Sequence, residues 1–225
     1  MANLAQLRRL EDLDGFLLVD KPEGLSFSTV LKTVKRKFNL VKAGHGGSLD
    51  TMASGLLVLL VGDANRYVDR VMGADRAYSG VLRFGATTDT GDRFGRPAPL
   101  PDPVLPVAEA TGDVFQTEPR FCAVRREGAA DYEVVDTGAH TPSLAHVYRL
   151  DVAPGDGAER SFSLAASKNL LPRALAIDLG ATLVALRREK VGKFDVKDAV
   201  PFAKLLETEI GDFASFVLPL AKALA

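Results

Sequence analysis

The segment Gly44-His45-Gly46-Gly47-Ser48-Leu49-Asp50 puts an imidazole, two adjacent glycines and a carboxylate within seven residues. A carboxylate just past such a loop, at the edge of a buried element, can be held rigidly, as acid–base or covalent chemistry requires. Paired glycines weaken either regular element and suit a backbone that must turn or approach a ligand closely. The same residues also fit a plain Gly-rich turn in which Asp50 caps a helix. The apolar run from Gly55 to Gly62 that follows reads as a buried strand or as part of a helix.

Cations gather in two places. Lys32, Lys35, Arg36, Lys37 and Lys42 lie between Leu31 and His45 with no acid among them, and Arg187, Arg188, Lys190 and Lys193 surround Glu189. Each group is either a solvated face or a patch that meets a phosphate backbone. The first leads directly into the His45–Asp50 loop, which favours the phosphate reading. Lys35, Arg36, Lys42, Arg187 and Arg188 are its candidate contacts. Net charge is only −1, so bulk charge does not announce a nucleic-acid binder.

These residues need a scaffold. Gly15–Asp20 reads as a buried strand ended by the turn Lys21-Pro22-Glu23-Gly24. A helix over about Ser28–Phe38 buries Val30, Leu31, Val34 and Phe38, capped by Ser26 or Ser28. Tyr78–Gly85 alternates like a strand, and Thr87–Asp92 is a polar loop. Five prolines between Arg96 and Pro106 mark a connector or exposed loop, and Gly112–Gly138 carries little periodicity. Val147–Val152 and Ser161–Ala166 read as strands joined by a Gly-rich turn. A helix over about Arg173–Leu179 stops at Gly180, and a final amphipathic helix covers about Asp198–Glu207. With no evident linker, one mixed α/β domain over 1–225 is the default.

Composition, with 47% hydrophobic and 25% charged residues, is that of a soluble globular protein. The lone Cys122 excludes an internal disulfide and a multi-cysteine metal site. No apolar run approaches the ~20 residues of a membrane span, and the first residues hold no signal-peptide core. A cytoplasmic location is expected.

Read in order, the pieces are more specific than any one of them. The chain runs Asp20-Lys21-Pro22-Glu23-Gly24-Leu25-Ser26, then Ala43-Gly44-His45-Gly46-Gly47-Ser48-Leu49-Asp50, then Gly62-Asp63-Ala64-Asn65-Arg66-Tyr67. Arg76-Ala77-Tyr78, Phe84-Gly85-Ala86-Thr87-Thr88-Asp89-Thr90, Gln116–Ala123, Ser167-Lys168 and Leu186-Arg187-Arg188-Glu189-Lys190-Val191-Gly192-Lys193-Phe194 follow. This order closely resembles the TruB family of RNA pseudouridine synthases over about 15–200.

The resemblance implies an α+β pseudouridine synthase fold: a long, bent, mostly antiparallel sheet flanked by helices around a central catalytic cleft. The family's C-terminal RNA-binding domain is expected to be absent. The implied activity converts a uridine in the TΨC loop of transfer RNA to pseudouridine, breaking the N1–C1′ bond and rejoining the base through C5. No metal or cofactor is implied, RNA is the partner, no membrane is involved, and a monomer is expected. Asp50 matches the family's catalytic Asp, as nucleophile or as the base that starts glycal formation. Arg173 falls on the Arg that pairs with that Asp, and Tyr78 on the Tyr that stacks on the flipped base. His45 and Lys21 match residues that meet RNA or lie near the active site.

The chain departs from the pattern at several points. Gly46 replaces the usual Thr, so a hydroxyl is lost and a looser loop is expected. Thr51 replaces a Pro, Leu171 replaces the Tyr beneath the base and is followed by Pro172, and Asp136 reverses a charge. Phe121 is a candidate substitute for the missing aromatic. A pseudouridine synthase on another RNA and a non-catalytic RNA-binding homologue are the alternatives.

Overall fold

A computed structural model describes residues 13–116, 121–124, 133–136, 143–155 and 157–224. The chain divides into two compact units, 1–74 with 188–225, and 75–187. The elements of the first are β1 (Gly15–Lys21), α1 (Phe27–Lys37), β2 (Ala43–His45), β3 (Ala53–Val61) and α2 (Val68–Met72). The second holds β4 (Arg76–Phe84), β5 (Thr87–Thr88), β6 (Pro97–Ala98), β7 (Gly112–Gln116), β8 (Phe121–Val124), β9 (Glu133–Asp136), β10 (Ser143–Val152), β11 (Glu159–Ala166) and α3 (Pro172–Asp178). Strand β12 (Ala181–Val191) runs from the second unit into the first. Then come β13 (Phe194–Asp195), β14 (Val200–Pro201), α4 (Phe202–Glu207), β15 (Val217–Pro219) and α5 (Leu220–Leu224). The α+β expectation is borne out: among the described residues most strands belong to a large, mostly antiparallel sheet, β5 with β6 and β8 with β9 form separate pairs, and helices alternate with strands along the chain.

In the first unit the Gly55–Gly62 run is a strand. Its neighbour β1 pairs with it antiparallel from Gly15↔Val61 to Lys21↔Gly55, and every residue from Gly55 to Val61 is buried, so neither face of β3 is left to water. A strand buried on both faces reads as a continuous apolar run, which is why its type was ambiguous in sequence. Phe16, Leu18, Leu56, Val58, Leu60, Val71 and Val191 form one core cluster. Helix α1 starts where Ser26 Oγ accepts the Thr29 amide at 3.1 Å, and buries Phe27, Val30 and Val34. Its basic residues Lys35, Arg36 and Lys37 occupy the last turn, where cations complement the exposed carbonyls. Phe38, at its end, stacks on Phe213 at 3.9 Å.

The expected final helix is shorter than its pattern. Val200 and Pro201 pair in parallel with Val19 and Asp20, so the helix begins only at Phe202. Strand pairing at the edge of β1 outweighs the helical periodicity of the residues before Phe202.

In the second unit β4 pairs with β11, β11 with β10 and β10 with β7, all antiparallel. Helix α3 buries Ala174, Leu175 and Ala176 and closes at Gly180, whose φ of 62° suits glycine. Asp136 pairs with Phe121 where β8 and β9 run antiparallel.

Gly46 does not loosen its loop. A Cβ there would lie 2.2 Å from Val71 Cγ1 and 3.0 Å from Val71 Cβ, so the buried Val71 fills the space of the missing side chain. The Gly46 amide donates to Val58 O at 2.8 Å. Gly46→Thr is expected to destabilise the fold by about 1–3 kcal/mol through overpacking. Adding Val71→Ala should recover part of that loss, as urea denaturation would show. Additive losses in the double variant would refute the steric account.

Candidate active site

In the first unit the loop bearing Asp50 is tied at every step. Strand β2 pairs Ala43, Gly44 and His45 with Val61, Leu60 and Leu59. His45 lies with its ring centroid 4.7 Å from that of Phe27, and its Nδ1 accepts the Gly47 amide at 3.3 Å. That bond fixes the ring's orientation in the loop. Leu49 and Met52 are buried on either side of the half-buried Asp50. The Ala53 amide donates to Asp50 O at 3.0 Å. The Gly24 amide donates to Thr51 O at 2.8 Å, which joins the Lys21–Gly24 turn to this loop. No helix follows, so Asp50 is not a helix cap; a turn leads straight into β3.

Two cations expected on the RNA surface are instead inside the first unit. Arg188 is 1% exposed, and its guanidinium donates to Leu56 O at 2.8 Å, Ser48 O at 2.7 Å and Gly47 O at 3.4 Å. Neighbours on a strand point to opposite faces, so Arg187 stays half-buried while Arg188 turns inward. Lys21 is buried too, and its ammonium donates to Pro22 O at 2.9 Å and Leu25 O at 2.7 Å. Arg188 is therefore not a surface contact for phosphate, and Lys21 lies beside the Asp50 loop rather than on the surface.

Burial lowers the Lys21 pKa from 10.5 to about 8; the Asp50 charge works against that shift and Arg188 works with it. Lys21, Asp50 and Arg188 thus form one charge cluster. Deprotonation above about pH 8 removes the Lys21 charge that interacts with Asp50. The folded state binds this proton less tightly than the unfolded chain, so folding gains stability as pH rises from about 8 towards 10.5. Turnover is expected to do the opposite and decline through pH 8. Rate–pH profiles of wild type and Lys21→Met should differ by that alkaline limb; identical limbs would exclude Lys21 as its source.

The surface cations are otherwise placed. Lys35 and Arg36 are exposed on the last turn of α1. Lys42 is exposed, with its Nζ 3.8 Å from Asp63 Oδ1.

In the second unit Tyr78 sits on β4 opposite Leu164 and is 6% exposed. Arg173 follows Pro172 in the first turn of α3, where Pro fits because its missing N–H is not needed. The Arg173 guanidinium donates through Nη1 to Thr90 O at 3.1 Å, and its Nε lies 4.0 Å from Asp92 Oδ2. Both side chains are 11% exposed. Asp92 is itself held, its Oδ1 accepting from the Phe94 amide at 2.9 Å and from Thr90 Oγ1 at 3.0 Å. Gly91, with φ of 74°, lets this loop press against α3, since a Cβ there would meet Arg173 O at 2.4 Å.

Leu171, in extended conformation as a residue before proline should be, donates its amide to Gln116 Oε1 at 2.8 Å. Gln116 is 1% exposed and also donates to Asn169 O at 2.5 Å and Ser143 Oγ at 3.2 Å. The side chain of Phe121, the candidate substitute for the missing aromatic, lies outside the described residues.

Asp92 and Gln116 carry no individual signal in sequence. Asp92 reads as one acid in a polar loop, and Gln116 as one amide in an aperiodic stretch. The inward turn of Arg188 was legible in principle from strand alternation.

Comparison with known proteins bears on this arrangement. Residues 35–170 match the family model described as TruB family pseudouridylate synthase, N-terminal domain. The chain is 36% identical over 209 residues to tRNA pseudouridine synthase B of Aromatoleum aromaticum, covering 86% of this chain and 68% of that one. It is 36% identical over 212 residues to the protein of the same name from Bordetella avium, covering 86% and 87%. Among solved structures it resembles a chain of the archaeal box H/ACA sRNP Nop10–Cbf5 complex, with a TM-score of 0.67 and 22% identity. That match covers 96% of this chain but 63% of the other, and at such identity it speaks for the fold. Among the described residues, no helix is long and apolar enough to cross a membrane.

Proposed function

The chain belongs to the TruB family of pseudouridylate synthases, and on that premise we propose that it isomerises a uridine of transfer RNA, in the TΨC loop, to pseudouridine. The observation that carries the proposal is the braced loop that presents Asp50 beside the Lys21 ammonium. The reaction breaks N1–C1′, turns the uracil, forms C5–C1′ and releases the proton from C5. Asp50 starts it, as nucleophile at the sugar or as the base that draws off a sugar proton. Either role requires an ionised carboxylate, and the Lys21 ammonium interacts favourably with the Asp50 charge.

Tyr78 takes the stacking role of the family's active-site Tyr, offsetting part of the cost of extruding the base. Arg173 takes the role of the family's active-site Arg. His45 meets the RNA loop, and Lys35, Arg36, Lys42 and Arg187 supply phosphate contacts. The RNA is read through its shape and splayed bases more than through a groove code. The protein acts as a monomer in the cytoplasm, without metal or cofactor.

The test is tritium release from transfer-RNA transcript labelled at uridine C5, followed by mapping of the pseudouridine. Release dependent on Asp50 and mapped to the TΨC loop is the expected result. Release mapped elsewhere would replace the substrate; binding without release would replace the enzyme with an RNA-binding protein.

A further inference from the structure

We propose that Arg188 is a positioning residue for the reaction, the clasp that sets the backbone of the Asp50 loop against β3. The inference rests on the assignment of Asp50 under the proposed function. A guanidinium carries its donors in a fixed planar fork, and here the fork spans two chain segments. Nε reaches Leu56 O on β3 at 2.8 Å, while Nη1 reaches Ser48 O at 2.7 Å and Nη2 reaches Gly47 O at 3.4 Å. Ser48 is two residues from Asp50, so the clasp acts on the peptide units that aim the carboxylate.

The next attachments of the loop lie on the other side of Asp50, at its own carbonyl and at Thr51 O. Arg188 therefore fixes the approach to Asp50, and Ala53 at the start of β3 together with Gly24 fixes the exit. Gly47 has φ of 136°, a conformation that L side chains rarely adopt, and its carbonyl is one of those held. Burying a guanidinium costs much of its hydration, and an apolar side chain would fill this site at lower cost. A cation kept there is accounted for by the carbonyls that it gathers. Lysine cannot take its place. Its charge sits on one nitrogen, which cannot reach carbonyls on both segments in the geometry that the planar fork meets.

The experiment uses the full chain with Arg188→Lys and Arg188→Met, at a temperature where circular dichroism shows each variant folded. Two readouts are taken. The first is hydrogen exchange without RNA. Amides of residues 47–52 should exchange at least about 10-fold faster in Arg188→Lys than in wild type, with β1 unchanged. The second is single-turnover tritium release with transfer-RNA transcript. The rate should fall at least about 30-fold in Arg188→Lys while RNA affinity stays within about 3-fold. Arg188→Met should show both effects at least as strongly.

Unchanged exchange at 47–52 in a folded Arg188→Lys would overturn the inference. So would loop exchange that rises only together with that of β1, which marks general destabilisation. A wild-type rate with a loosened loop would also overturn it, because the clasp would then not serve the reaction. If wild type itself releases no tritium, the proposed function fails instead, and exchange alone still decides whether Arg188 clasps the loop.

Discussion

Asp50→Asn is expected to lower turnover by at least about 10³-fold while RNA affinity stays within a few-fold of wild type. The substitution keeps the size of the side chain and removes its charge and basicity. Asp50 is half-buried, and backbone bonds brace the loop around it, from the Ala53 amide to Asp50 O and from the Gly24 amide to Thr51 O. The loop should therefore survive the change, and melting temperature should move little. The measurement pairs tritium release with filter binding to the same transcript. Turnover near wild type would remove Asp50 from the chemistry and the catalytic assignment with it. Loss of binding and turnover together would mean that the carboxylate holds the RNA surface in shape.

Arg173→Lys is expected to lower kcat/KM by roughly 30-fold or more, corresponding to the loss of about 2–5 kcal/mol when a buried charged partner is cut back. The charge is kept, so a simple field effect would survive. The fork is not kept. Arg173 donates to Thr90 O at 3.1 Å while its Nε lies 4.0 Å from Asp92 Oδ2, and one ammonium cannot reproduce both relations. Folding should suffer less than activity, because α3 is anchored by the buried Ala174, Leu175 and Ala176 and by the Gln116 bond to Leu171. Steady-state rates beside thermal melts check this. A melt lowered in proportion to the rate would make Arg173 a structural residue of its unit and nothing more.

Much of this protein is legible in its sequence. The strands at Gly15 and Tyr78, the helix capped by Ser26 and the helix stopped by Gly180 follow from side-chain period, capping and turn chemistry, which act over a few residues. The family followed from many short motifs in one order. The candidate residues Asp50, Tyr78 and Arg173 came from the same source. Tertiary structure decided what lies at the end of long contacts. Arg188 and Arg187 are adjacent in sequence and equivalent in charge, yet Arg188 reaches back 140 residues to Ser48 while Arg187 stays half-buried. Val71 fills the space at Gly46, Gln116 grips Leu171 from 55 residues away, and Asp92 settles beside Arg173. Local period reports which face a residue occupies, but it is blind to what the opposing segment places there. A buried polar group must find its partner wherever the chain returns, and that partner is set by packing, not by spacing.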